Sequence, residues 1–283
     1  MIKALGIGEN SVDRYLKKGL IYPGGCSLNF SVYTSKLGAC SAYIGVLGSD
    51  GYGVFLKNIL KEKGIDFSRC RTKNGSNSYF DVEIVNGERV FPNWDAGVIE
   101  KYPLNLTQDD LNYINTFSLV HTGYTGHIDN QLPLLKNRNF ILIYDFSTVD
   151  CINGTTLLKN VAPYIDLALF SCSHMNSDDI SVLIKKSHSA GAKYILATMG
   201  ERGQIFSDGM YRYVGLATNI CAIDTLGAGD AFVAAFALTM ARDGWKRSNS
   251  LNPEIINRAL DVASRFSAEI CLIDGAFGCS QKM

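Results

Sequence analysis

The chain holds 283 residues, 47% hydrophobic and 19% charged, with a formal net charge of +0. That length suits one large domain, alone or with a smaller lobe. Balanced charge without any Lys/Arg-rich block excludes nucleic acid and anionic membrane surfaces as expected partners.

Apolar runs of strand length alternate with stretches of helical period, which argues for βα units around a mainly parallel sheet. In chain order the pattern predicts a strand over Ala4–Ile7, a helix over Ser27–Leu37, a strand over Ala42–Leu47 and a helix over Val54–Lys63. A helix over Gln108–Asn115 follows, then strands over Leu119–Thr122, Phe140–Tyr144 and Leu167–Phe170. A helix over Asp178–Ala190, a strand over Tyr194–Thr198 and helices over Ala228–Ala241 and Pro253–Ile270 complete the series. Ser177 is the expected N-cap before the acidic turn Asp178-Asp179, Gly191 the expected end, and Thr107 with Asp110 resembles a capping box.

Two segments break this rhythm. Residues 76–94 alternate, turn at Asn86-Gly87 and alternate again, which is a strong hairpin signal. Residues 13–22 also read as extended. Together they are expected either to form a small β-lobe on the α/β core or to lie as an ordinary antiparallel edge.

The longest apolar run, Ala231–Ala241, lies between Asp230 and Arg242 and is too short to cross a bilayer. The apolar start of the chain meets Glu9 and Asp13 too soon for a secretory leader, so a soluble cytoplasmic protein is expected. The eight cysteines, at 26, 40, 70, 151, 172, 221, 271 and 279, contain no Cys-x-x-Cys pair, and buried reduced thiols are expected. The four histidines show no zinc-binding spacing.

Residues 224–230 read Asp-Thr-Leu-Gly-Ala-Gly-Asp and run directly into the last apolar helix but one. A small-residue turn leaves backbone N–H groups free to converge on an anion, and the helix N-terminus adds a favourable partial charge. Asp230 beside that cradle could accept a proton from an attacking hydroxyl, the pairing that phosphoryl transfer to an alcohol requires. The alternative is an acidic helix cap after a flexible turn. Other candidates are Asp13 just past the first strand, Gly24 and Gly25 opening a helix that carries Asn29, and the turn Gly48–Gly53. Each alone also reads as a turn or surface residue. Gly6 and Gly8 suggest a dinucleotide fingerprint, but Ser11 occupies its third glycine position. No P-loop pattern is present.

The 224–230 segment resembles the signature of the ribokinase-like (PfkB) carbohydrate kinases, Asp-Thr-x-Gly-Ala-Gly-Asp. An early Asp, Gly-Gly-x-x-x-Asn, Gly-x-Asp-x-x-Gly and Thr-x-Gly-x-x-Gly follow that family's order. The resemblance implies a ribokinase-like α/β fold over residues 1–283, a mainly parallel sheet flanked by helices. It also implies a small β-lid from about 13–22 and 76–98 that covers the sugar and excludes water. It implies Asp230 as base, with Gly227, Ala228 and Gly229 holding the transferring phosphate. Asp13, Gly24, Gly25 and Asn29 would hold the sugar. Thr198, Gly200, Gly203, Asp224 and Ser264 would serve the nucleotide. ATP and Mg2+ are the implied cofactors, with K+ as a further cation, and a homodimer through the lid is the implied assembly.

One element departs from the pattern. Where many members carry Asn-x-x-Glu to help organise Mg2+, this chain has Ser171-Cys-Ser-His174, so no metal ligand is assigned. Glu9-Asn-Ser-Val-Asp13, Gly87-Glu-Arg-Val-Phe91, Tyr144-Asp-Phe-Ser147 and the substituted 171–174 element are similar to the bacterial fructoselysine 6-kinases. The implied substrate is a sugar or fructosamine, phosphorylated on its 6-hydroxyl. Glu83, Asp95 and His127 could meet the arm of such a substrate or lie on the surface. Another sugar or nucleoside kinase, and a catalytically silent sugar sensor, are the remaining alternatives.

Overall fold

Strands covered on both faces need apolar side chains at nearly every position, and the runs noted above supply them. The computed structural model describes residues 1–85, 88–136, 138–148, 155–247 and 251–283, with only the backbone of 84, 85, 88, 89 and 155. Among these, nine strands form one sheet in the order Arg212–Gly215, Gln204–Ser207, Tyr194–Thr198, Leu167–Ser171, Ile141–Asp145, Leu119–Gly123, Lys3–Gly8, Cys40–Gly48, Arg71–Lys73. From Tyr194–Thr198 to Arg71–Lys73 the pairing is parallel. Gln204–Ser207 and Arg212–Gly215 add to it antiparallel. Neither is flagged by an apolar run: Gln204–Ser207 begins and ends on polar residues, and Arg212–Gly215 lies at the edge and turns alternate residues to solvent.

Side chains along each strand alternate between two cores. Leu142 and Tyr144 pack with helices Gln108–Ile114, Thr155–Val161 and Ser177–Ala190. Ile141 and Ile143 pack with helices Cys26–Lys36, Ala228–Arg242 and Pro253–Ile270. The Thr107–Asp110 capping box is present. The expected cap at Ser177 is corrected: Asn176 is the N-cap and accepts from the Asp179 N–H at 2.9 Å, while Ser177 is the first helical residue. Both residue types can cap, and the one three positions before the accepted N–H takes the role.

Helix Cys26–Lys36 lies unusually close to the central strand. Ser27 Oγ donates to the Ile7 carbonyl at 2.8 Å, and Ser31 Oγ accepts from the Gly6 N–H at 3.1 Å while donating to Ala42 at 2.8 Å. A Cβ on Gly6 would stand 1.9 Å from the Ser27 carbonyl oxygen, so only glycine permits the approach. Small polar residues therefore set the height of this helix over the sheet.

A second sheet has the order Gln281–Lys282, Leu20–Gly24, Ser11–Tyr15, Tyr79–Asp81, Trp94–Asp95. The 13–22 segment is two antiparallel strands joined through the single turn Leu16–Lys18 and a left-handed Gly19, not one extended stretch. Strands Glu83–Val85 and Glu88–Val90 pair antiparallel, as the hairpin signal predicts. Their Asn86-Gly87 turn, like Cys151, lies outside the described residues. No helix among the described residues is long and apolar enough to cross a membrane.

Arg14 ties this sheet together. Its Nε donates to Asp81 Oδ1 at 2.6 Å, and its guanidinium stacks 3.7 Å from the Tyr79 ring centroid. That hydrogen bond holds the buried Asp81 carboxyl below its ordinary range, against the opposing effect of burial. Replacing Arg14 by Met would leave Asp81, among the described residues, with Asn93 alone as a side-chain donor. Arg14→Met is expected to lower unfolding stability by about 1.5–3 kcal/mol at neutral pH, read from urea midpoints. Because the Asp81 pKa is lowered in the fold, the deficit should shrink as pH falls below about 4. An equal deficit at pH 3 and pH 7 would show that the ion pair is not its source.

Candidate active site

Strand Lys3–Gly8 pairs with Cys40–Gly48 on one side and with Leu119–Gly123 on the other. Successive connections therefore leave in opposite directions, and the loops at the carboxyl ends of these strands open a crevice of the kind where such sheets bind ligands. Glu9 follows the first of these strands, and Asp145 ends Ile141–Asp145.

Asp13, Gly24, Gly25, Asn29 and Asp230 come together at this crevice. Asp13 is buried on strand Ser11–Tyr15, and a Cβ on Gly24 would stand 2.2 Å from its Oδ2. Gly25 caps helix Cys26–Lys36 with φ +99°, and a Cβ there would stand 2.6 Å from Asn10 Cα. Asn10 is fixed beneath by bonds to Tyr43 and Val46 and by one from Asn77. One turn into the helix, Asn29 is 3% exposed and donates through Nδ2 to Asp230 Oδ2 at 2.7 Å. Its Oδ1 is buried and makes no hydrogen bond among the described residues.

Asp230 lies in the first turn of helix Ala228–Arg242, whose N-cap is Gly227 in the left-handed region with φ +74°. A Cβ on Gly227 would stand 2.5 Å from the Tyr33 hydroxyl and 2.9 Å from Ala276 Cβ. Tyr33 in turn donates to the Ala276 carbonyl, pinning the C-terminal loop against the turn. A Cβ on Gly229 would meet only open space. First-turn amides have no partner within their helix and carry its positive end. The Ala228 N–H is the exception, donating to the Thr225 carbonyl at 3.2 Å.

Asp224 and Ser264 turn their polar atoms inward. Asp224 Oδ1 accepts from Leu226 N–H at 3.0 Å, and Oδ2 accepts from the Tyr15 hydroxyl and from Gly275 N–H at 3.0 Å. Ser264 Oγ accepts from Thr218 N–H at 2.8 Å and donates to the Leu216 carbonyl at 2.9 Å. One turn further along the same helix, Ser267 Oγ donates to the Ala228 carbonyl at 2.8 Å. Helix Pro253–Ile270 thus links the 216–218 segment to the anion turn.

Thr198 ends its strand, and Gly200 and Gly203 shape the turn that follows, closed by Met199 N–H donating to Gly203 at 2.8 Å. A Cβ on Gly203 would stand 2.2 Å from the Gly215 carbonyl oxygen, so this turn abuts the segment that Ser264 holds. Arg202 Nη2 donates to the carbonyls of Cys172, Ser173 and Met175 at 3.0, 3.0 and 2.7 Å. That clasp fixes the Ser171–His174 loop. Among the described residues, no group of three or more His, Cys, Asp or Glu side chains is placed to hold a metal ion.

The electrostatics centre on carboxylates. Burial, then the charge of Asp145, pushes the Asp230 pKa well above the ordinary range; the Asn29 hydrogen bond opposes, and Glu9 and Asp13 add to the rise. Burial pushes Asp145 up to about 7, opposed by the Ser147 N–H and aided by Glu9. Glu9 and Asp145 were not among the expected site residues. The available signal was their position, each a lone acid at the carboxyl end of a parallel strand.

The raised Asp145 pKa has a sign for stability. Its protonated form is favoured in the fold, so that contribution is whole below about pH 4 and is lost as pH rises toward 7. Asp145→Asn is expected to raise the thermal midpoint by a few degrees at pH 8 and to match the parent near pH 4. A lower midpoint at pH 8 would contradict the burial argument.

Comparison with known proteins bears on this geometry. The family model described as pfkB family carbohydrate kinase matches residues 3–276. A fructosamine kinase from Bacillus subtilis (strain 168) is 33% identical over 281 residues, 98% of this chain and 93% of that protein. A fructoselysine 6-kinase from Escherichia coli (strain K12) is 29% identical over 259 residues, 92% of this chain and 95% of that protein. The fold is similar to that of an Arabidopsis thaliana ribokinase solved with ribose and ATP, with a TM-score of 0.79 at 18% identity over 98% of this chain and 94% of that one. A family match of this extent makes the chain a sugar kinase of the pfkB carbohydrate kinase family.

Proposed function

We propose that this kinase transfers the γ-phosphoryl group of ATP to the 6-hydroxyl of fructoselysine or a related fructosamine. The observation that carries the chemistry is the Asn29–Asp230 pair, a carboxylate aimed from a helix N-terminus beside an acceptor oxygen that has no partner among the described residues. The acceptor is favoured by 33% identity to a fructosamine kinase over 98% of the chain.

Asp230 takes the hydroxyl proton as the alcohol oxygen bonds to the γ-phosphorus and the bond to the leaving ADP oxygen breaks. Burial raises its basicity above that of an ordinary carboxylate, which suits it to the task. The Gly227 and Gly229 amides, at the positive end of the helix, face the developing charge. Ala228 contributes only if its amide leaves Thr225. Asp13, Gly24, Gly25 and Asn29 hold the sugar, with Asn29 Oδ1 accepting from a hydroxyl. Thr198, Gly200 and Gly203 line the nucleotide side, while Asp224 and Ser264 brace it through protein contacts. Mg2+, when bound, neutralises phosphate charge, and in this reading it arrives with ATP.

The second sheet acts as the lid in this reading, because it carries Asp13 over the crevice. The outward faces of Phe91 and Trp94, 48% and 59% exposed, favour pairing with a second copy of this chain through that lid. ATP as donor puts the reaction in the cytoplasm.

Asp230→Asn is expected to lower turnover by about 10²–10⁴ while leaving ATP binding close to the parent. Release of ADP across fructoselysine, other fructosamines, fructose, ribose and nucleosides, with and without K+, ranks the acceptors and reads cation dependence. Near-parental turnover in Asp230→Asn would remove it as the base. A ranking with simple sugars above fructosamines would replace the acceptor and keep the chemistry.

A further inference from the structure

Acidic side chains gather on the sugar side of the crevice, where Asp145, Glu9 and Asp13 act on Asp230. Among the described residues, none of Glu9, Asp145 and Asp230 enters an ion pair. Glu9 Oε2 accepts from the Cys26 N–H at 2.9 Å, at the start of the helix that carries Asn29. Gly123 brings Asp145 to the same place. A Cβ there would stand 2.9 Å from Cys26 Sγ and 3.3 Å from Asp145 Cβ. The independent sign of a ligand is Asn29 Oδ1, an acceptor buried in the same crevice with no donor to meet it.

Groups that only accept hydrogen bonds call for a ligand rich in donors, and carboxylates outside any ion pair, Asp145 among them buried, call for positive charge. Among the described residues, no group of three or more His, Cys, Asp or Glu side chains is placed to hold a metal ion. An ammonium carried on a polyhydroxylated molecule supplies both N–H and O–H donors and a positive charge. Neutral fructose would supply the donors and leave the charge.

We propose that Glu9 and Asp145 form a cation subsite beside the sugar pocket, taking the secondary ammonium of an acceptor whose sugar is joined to an amine. This rests on the reading that Asp13, Asn29 and Asp230 hold the sugar. Glu9 and Asp145 act as specificity residues in it, since neither touches the transferring group.

The test is calorimetric titration without nucleotide at pH 7.5, using 1-deoxy-1-(methylamino)fructose, which carries a secondary ammonium, and fructose. The parent is expected to bind the amino sugar at least about ten-fold more tightly, and Glu9→Gln and Asp145→Asn each to remove most of that preference. Both substitutions keep the oxygen that accepts from Cys26 or Ser147, so the fold is retained and only charge is lost. Equal weakening of both probes would mark a structural role and overturn the subsite. So would a parent without preference, a parent that binds neither probe, or variants that keep the preference. ADP release with the same two sugars reads the kinase assignment separately. Absence of ADP with a retained binding preference would overturn sugar phosphorylation and not the subsite.

Discussion

The hydrogen bond from Asn29 to Asp230 depends on how closely one helix approaches one strand. Asn29 reaches Asp230 because Ser27 and Ser31 bond directly to the backbone of strands Lys3–Gly8 and Cys40–Gly48, across a gap that only a glycine at position 6 allows. A larger residue at any of these points would lift helix Cys26–Lys36 and withdraw the amide from the carboxylate. On the other side, Gly227 admits the left-handed turn from which helix Ala228–Arg242 starts, and so sets where Asp230 stands. Close packing of small residues thus determines the reacting geometry, and the large apolar cores hold it rigid.

Most of the main sheet was legible in the sequence because parallel strands buried on both faces read as unbroken apolar runs. Tyr194–Thr198 and Pro253–Ile270 match the expected bounds, and the other expected strands differ by one or two residues at their ends. Arg212–Gly215 and the terminal Gln281–Lys282 were not legible, since short strands with exposed faces carry no such run, and the buried Gln204–Ser207 begins and ends on polar residues. Helix Gly51–Glu62 begins three residues before its expected start, because Gly51 and Gly53 look like turn residues until Asp50 caps them.

The site was legible where its residues are contiguous. Residues 224–230 were readable by composition as a small-residue turn that enters a helix with an acid in its first turn, and the fold has them so. Glu9 and Asp145 are single acids at strand ends that only the sheet order brings to one crevice, and Arg202 is a single polar residue whose clasp on the 172–175 carbonyls appears only in the fold. Asp224 and Ser264 show the converse. Their positions were readable, but only the fold reveals that Leu226, Gly275, Tyr15, Thr218 and Leu216 already engage their oxygens. Whole-chain charge balance likewise conceals the acidic crevice, because the compensating basic residues lie elsewhere, as Arg14 does against Asp81 and Arg247 against Asp166.

Asp224 joins three parts of the molecule that are remote in sequence. Its carboxylate receives Tyr15 from the second sheet, Gly275 from the C-terminal loop and Leu226 from the turn leading to the base. Because one carboxylate receives all three, the second sheet, the C-terminal loop and the glycine turn cannot shift independently at this point, and loss of that carboxylate would uncouple them together.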